Sequence, residues 1–176
     1  MRAGAFLCAY ELIRPEVVDK LREHYWCGIE DGKHVYDEAA YRREVLSRNP
    51  KSRYRASCGW LVEQGALTAD QVATLEQIYE HRKEVAHELP KLLVDPDFEV
   101  RTELLAAAIE CVRCLGVFWG SIDVDADPRW DGQDIDYNEI KSGSYLLMEY
   151  LAAFAGLEGS SAEGAGADGQ NVGPTT

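Results

Sequence analysis

Apolar residues return every three or four positions along almost the whole chain, and strand-like alternation never lasts beyond a few residues. That periodicity commits the chain to an all-α fold, a bundle of about five to six helices. A first helical region is expected over residues 6–26, with Phe6, Tyr10, Ile13, Val17, Leu21 and Tyr25 on one side and Pro15 kinking or splitting it. Residues 27–35, with Gly28, Asp31 and Gly32, read as a turn. A helix over 37–47 stops at Asn49-Pro50, and another over 53–64 carries Tyr54, Cys58 and Leu61 before Gly65 ends it.

Thr68 is the expected N-cap of the best-defined helix, along which Val72, Leu75, Tyr79, Ala86 and Leu89 trace a stripe. Arg82 occupies the stripe's missing position, and Pro90 stops the helix. After a loop at 94–97, a long helix reaches residue 120 with Leu104, Leu105, Ala108, Cys111, Leu115 and Phe118. An acidic bridge over 121–139 leads to a last helix over 137–154 with Ile140, Leu147, Met148 and Leu151. Residues 1–157 therefore read as one helical domain. Residues 158–176, rich in Gly, Ser and Ala, read as a disordered tail, because ordering them costs backbone entropy with almost no large apolar side chain to bury.

Five cysteines in irregular spacing and the absence of a secretory pattern at the start point to a reducing cytoplasm. Charged residues interrupt every hydrophobic stretch, so no membrane partner is expected. A net charge of −13 opposes non-specific attraction to nucleic acid, yet the charge is unevenly spread. Arg42, Arg43, Arg48, Lys51, Arg53 and Arg55 crowd one stretch against the single acid Glu44, with Tyr41 and Tyr54 interleaved. Such a stretch can be a solvated helix face, or it can track an RNA backbone, cations on phosphates and rings against bases.

The segment HRKEVAHEL places Arg82 and His87 in an R-x4-H arrangement. A guanidinium is a permanent planar cation that can grip phosphate oxygens in pairs, and an imidazole titrates near neutral pH and can serve as acid or base. His87, in the last turn before Pro90, sits where the helix dipole favours a cation. The motif and the helical layout resemble the HEPN domains (higher eukaryote and prokaryote nucleotide-binding), helical bundles of prokaryotic toxin and antiphage systems.

The resemblance implies a metal-independent ribonuclease, with no cofactor, in which two copies of the motif face one another across a homodimer. Arg82 would hold the scissile phosphate and His87 would move protons, with Lys83 and Glu84 supporting them. An antitoxin or other regulatory protein is the implied partner. Lys83 stands where the family commonly has Asn, and Leu89 where toxin members often have Tyr. Five residues turn an α-helix by about 140°, so Arg82 and His87 of one chain do not share a face, and a second chain enters the mechanism. The other reading of the residues is a non-catalytic module that binds RNA, nucleotide or protein, with Arg82 as an interhelical ion-pair partner. A buried Arg82 then requires an acid.

Weaker signals point to structure. Cys111 and Cys114 form a C-x-x-C inside a helix with no second pair, short of a zinc set. Asp123, Asp125 and Asp127 mimic the opening of a calcium loop, but Pro128 stands where the sharp turn needs Gly. Trp60, Phe118, Trp119 and Tyr145 fall among apolar helical positions and are expected in the core.

Overall fold

In the computed structural model, which describes residues 2–88, 100–154 and 156, helices dominate. Helix α1 (Arg2–Arg14) runs without a break through a π-helical turn (Pro15–Asp19) into the short α2 (Lys20–Glu23), so Pro15 widens the rod instead of splitting it. A hairpin follows, β1 (Trp26–Glu30) and β2 (Lys33–Tyr36). Then come α3 (Glu38–Glu44), a 3-10 turn (Leu46–Arg48), α4 (Arg53–Glu63), α5 (Ala69–His87), α6 (Thr102–Ala126), two further 3-10 turns and α7 (Gly143–Phe154). With 2–23 counted as one rod, six helices and one hairpin make up the described residues. The fold is all-α, as the periodicity predicts. The loop at 94–97, the stop at Pro90 and the tail lie outside the described residues.

Three expectations are corrected. Residues 27–35 are a strand pair rather than a plain turn. Asp31 (φ 48°) and Gly32 (φ 73°) form the two-residue loop between Glu30 and Lys33, with the left-handed geometry that suits a right-twisted hairpin, and a bulge at Gly28 (φ 138°) shifts the register. The acidic bridge begins later than residue 121, because α6 carries Asp123 and Asp125 in its last turns. Finally, α6 is long and apolar enough to cross a membrane by length and composition, with a mean hydropathy of 1.5 in its most apolar stretch, despite Glu110 and Arg113. Here it packs on α1, α5 and α7, and buries Leu104, Leu105, Ala108, Cys111, Val112 and Leu115.

The stripe of α5 lies one position from the expected one. Leu75, Ile78, His81 and Val85 are buried, whereas Tyr79 is exposed. They share one core with Phe6, Ile13, Val17 and Leu21 of the N-terminal rod, all essentially without solvent contact, and α5 packs directly on α1. Trp60 and Trp119 stack with rings 6.3 Å apart and 7° from parallel, and the Trp119 indole donates to the Glu16 carbonyl at 3.0 Å. The Glu16 carboxylate is itself buried and accepts from the Ser144 hydroxyl at 2.5 Å, which joins the π turn to α7.

Two glycines let the chain close against α6. A Cβ on Gly116 would sit 2.7 Å from Ser142 Oγ, and one on Gly120 would sit 2.5 Å from Ile140 Cγ2. Only hydrogen fits there. Ser142 Oγ in turn accepts from the Tyr145 N–H and starts α7, so the close approach and the helix start depend on each other.

Candidate functional site

Helix α5 begins with a full capping box: Thr68 Oγ1 accepts from the Gln71 N–H, and Gln71 Oε1 accepts from the Thr68 N–H. From that anchored start, nineteen residues carry Arg82 and His87 to the far end. Arg82 turns toward α1. Its Nη2 donates to Glu11 Oε1 at 3.1 Å, and its guanidinium lies 5.4 Å from the centre of the Tyr10 ring. The side chain is 37% exposed, so this ion pair is a solvent-screened one. Glu11 is the acid that a partly buried Arg82 needs.

His87 is exposed in the last turn of α5. Within one chain the two motif residues therefore diverge, Arg82 on the α1 seam and His87 in solvent. The supporting residues are held within α5: Lys83 Nζ donates to both carboxylate oxygens of Glu80, at 3.1 and 2.8 Å, and Glu84 Oε2 lies 3.1 Å from His81 Nδ1.

His81 is the residue the sequence reading missed. It is buried, edge-on to Phe6 with ring centres 5.0 Å apart, and its Nε2 accepts from the Arg101 N–H at 3.1 Å. That bond fixes the proton on Nδ1, which donates to Glu84. His81 thus links α5 to the start of α6, with both ring nitrogens occupied. Its signal was available, since 75, 78, 81 and 85 keep helical spacing.

Beside Arg82, helices α1, α4 and α5 enclose a cleft of about 350 Å³ lined by Tyr10, Arg14, Ser52, Tyr54, Arg55, Glu76, Tyr79 and Glu80. The rings of Tyr10 and Tyr79 lie 6.0 Å apart and 36° from parallel. Burial pushes the Tyr10 hydroxyl above its ordinary pKa, neighbouring Tyr79 adds to this, and Arg82 opposes it. Burial raises the Tyr54 hydroxyl much further.

Of the basic stretch, Arg55 alone lines this cleft, and it pairs with Glu76 at 3.1 Å. Arg43 pairs with Glu44 at 2.5 Å, Arg48 pairs with Glu63, and Arg53 donates to the Tyr41 hydroxyl at 2.9 Å. Arg42 and Lys51 are exposed and make no ion pair among the described residues. The six cations are spread over α3, the turns after it and α4, three of them tied to acids, rather than forming one continuous strip.

Among the described residues no group of three or more His, Cys, Asp or Glu is placed to hold a metal ion. Cys58 and Cys111 are buried, and burial pushes their thiols up to about 11 and about 12. In the unfolded chain these thiols ionise nearer their ordinary value of 9.0. Their contribution to stability is thus complete below about pH 9 and is lost as pH rises through the folded values. At pH 8 iodoacetamide is expected to label exposed Cys8 and Cys27 in the native protein, sparing Cys58 and Cys111, and urea midpoints are expected to fall between pH 9 and 11. Mass spectrometry showing rapid native labelling of Cys111 would contradict this.

Comparison with protein-family models, with curated proteins and with solved structures finds no match at the significance required.

Proposed function

We propose that the chain is a metal-independent ribonuclease of the HEPN type that works as a homodimer, in a toxin, antiphage or stress setting. The observation that carries this reading is the presence, on one firmly capped helix, of an Arg82 side chain partly open to solvent and an exposed His87. His87 is open to solvent, as a group that exchanges protons with a substrate must be. Arg82 is solvent-accessible enough to trade Glu11 for a phosphate.

In the proposed step the RNA 2′-hydroxyl attacks phosphorus, a new P–O2′ bond forms and the P–O5′ bond breaks. His87 of one subunit carries out one of the two proton transfers, removing the 2′ proton or supplying one to the leaving 5′ oxygen, solvent water carries out the other, and Arg82 neutralises the phosphoryl oxygens. The products are a 2′,3′-cyclic phosphate and a 5′-hydroxyl end. Because Arg82 and His87 diverge within one chain, the partner chain supplies one of them.

A second reading is a non-catalytic HEPN-like module that binds RNA, nucleotide or a protein. It is favoured by the Arg82–Glu11 pair, which already gives Arg82 a tethering role between α5 and α1. Single-stranded RNA incubated with protein and excess EDTA separates the two. Cleavage to cyclic-phosphate ends by a dimeric particle is the expected result. Cleavage abolished by EDTA, or a strictly monomeric particle that leaves RNA intact, defeats the nuclease reading.

A further inference from the structure

The cleft between α1, α4 and α5 holds residues for which the cleavage step has no use. Its volume, about 350 Å³, falls within the range of about 300–1,000 Å³ common for small-ligand sites. Tyr10 and Tyr79 stand at its edge with a cation over each ring, Arg82 5.4 Å from the centre of Tyr10 and Lys83 4.8 Å from that of Tyr79; Tyr79 is 43% exposed, so a flat ring can cover it by displacing the mobile Lys83 side chain without disturbing the core.

The lining carries two cations, Arg14 and Arg55, and two acids, Glu76 and Glu80, but the pairing leaves Arg14 without an acid. Glu76 is paired with Arg55, Glu80 with Lys83, and Glu11 with Arg82. Arg14, exposed on α1 one turn beyond Tyr10, makes no ion pair among the described residues. A ligand that satisfies this cleft therefore combines a planar ring with a negative group close to it. Phosphate suits the guanidinium fork, and the ring stacks on tyrosine.

We propose that this cleft seats one nucleotide unit, its base stacked on Tyr79 and its phosphate held by Arg14. The single unpaired cation matches the single charge of a phosphodiester, which favours a nucleotide within a strand over a free monophosphate. The inference goes beyond the cleavage reading and stands without it, since neither Arg14 nor Tyr79 belongs to the R-x4-H motif.

Calorimetric titration of the wild-type protein with the dinucleotide dTpT and with each nucleoside 5′-monophosphate tests it. Neither probe has a 2′-hydroxyl next to an internucleotide phosphodiester, so neither is consumed by the proposed cleavage. Binding of dTpT is expected, weakened at least about tenfold by Tyr79→Leu, the loss of one stacked ring. Arg14→Gln is expected to weaken it comparably. Tighter binding of a monophosphate than of dTpT retains the seat and assigns it to free nucleotides.

No binding of either probe overturns the proposal, as does equal competition by inorganic phosphate alone or indifference to both variants. Circular dichroism of each variant checks the fold, and the two exposed positions give independent chances of an intact one. RNA cleavage with no nucleotide binding removes the cleft and keeps the nuclease. Binding without cleavage does the reverse.

Discussion

Replacing His87 with alanine is expected to lower RNA cleavage by about 10²- to 10⁴-fold, the usual contribution of a positioned acid or base. The same change is expected to leave the unfolding free energy within about 0.5 kcal/mol, because His87 is exposed and packs in no core. That separation of activity from stability makes His87 the cleanest probe of the motif. Arg82 is less clean: alanine there removes the proposed phosphate ligand and also the link to Glu11 and the cover over Tyr10. Glu11→Gln resolves the ambiguity. If Arg82 serves phosphate, relieving it of its carboxylate makes cleavage faster. If Arg82 is only a tether, Glu11→Gln changes stability alone. Cleavage undiminished in His87→Ala removes that residue from the chemistry.

Phe6→Ala is expected to cost about 3–5 kcal/mol, the range for deleting a buried aromatic ring. Phe6 has no solvent exposure and meets the His81 ring edge-on. Its loss opens a cavity at the α1–α5 seam and leaves His81, with its links to Glu84 and Arg101, unsupported on one side. The thermal midpoint is expected to fall by roughly 10 °C or more in a chain of this size. Phe6→Leu, which refills most of the space, is expected to recover much of that loss. A Phe6→Ala protein within about 1 kcal/mol of wild type would mean that this part of the core collapses around the missing ring.

What the sequence made legible follows the range of the forces concerned. Thr68 and Gln71 satisfy each other within one turn, so the start of α5 could be read from four residues. The stop near Asn49 is equally local, with Asn49 in extended geometry before Pro50. The stripe of α5 was misplaced by one position because Ile78 and Tyr79 are adjacent, and only the packing of α1 decides which turns inward. The Asp31-Gly32 pair carried a hairpin signal that helical expectation overrode.

The acidic run after residue 121 is polar enough to resemble a linker, although Ile122 continues the core-packed face of α6. The Arg82–His87 spacing was visible, but the acid that meets Arg82 lies 71 positions away, beyond any local rule. Tyr10 and Arg14 join the cleft for the same reason. Their spacing shows that they share a face of α1, and nothing nearby in sequence shows what that face meets.

The hydrogen bond between Glu16 and Ser144 spans 128 positions of sequence. Each group is therefore stranded without the other: Ser144→Ala would leave a buried carboxylate short of a donor, so the widened turn at Pro15 and α7 keep their places jointly.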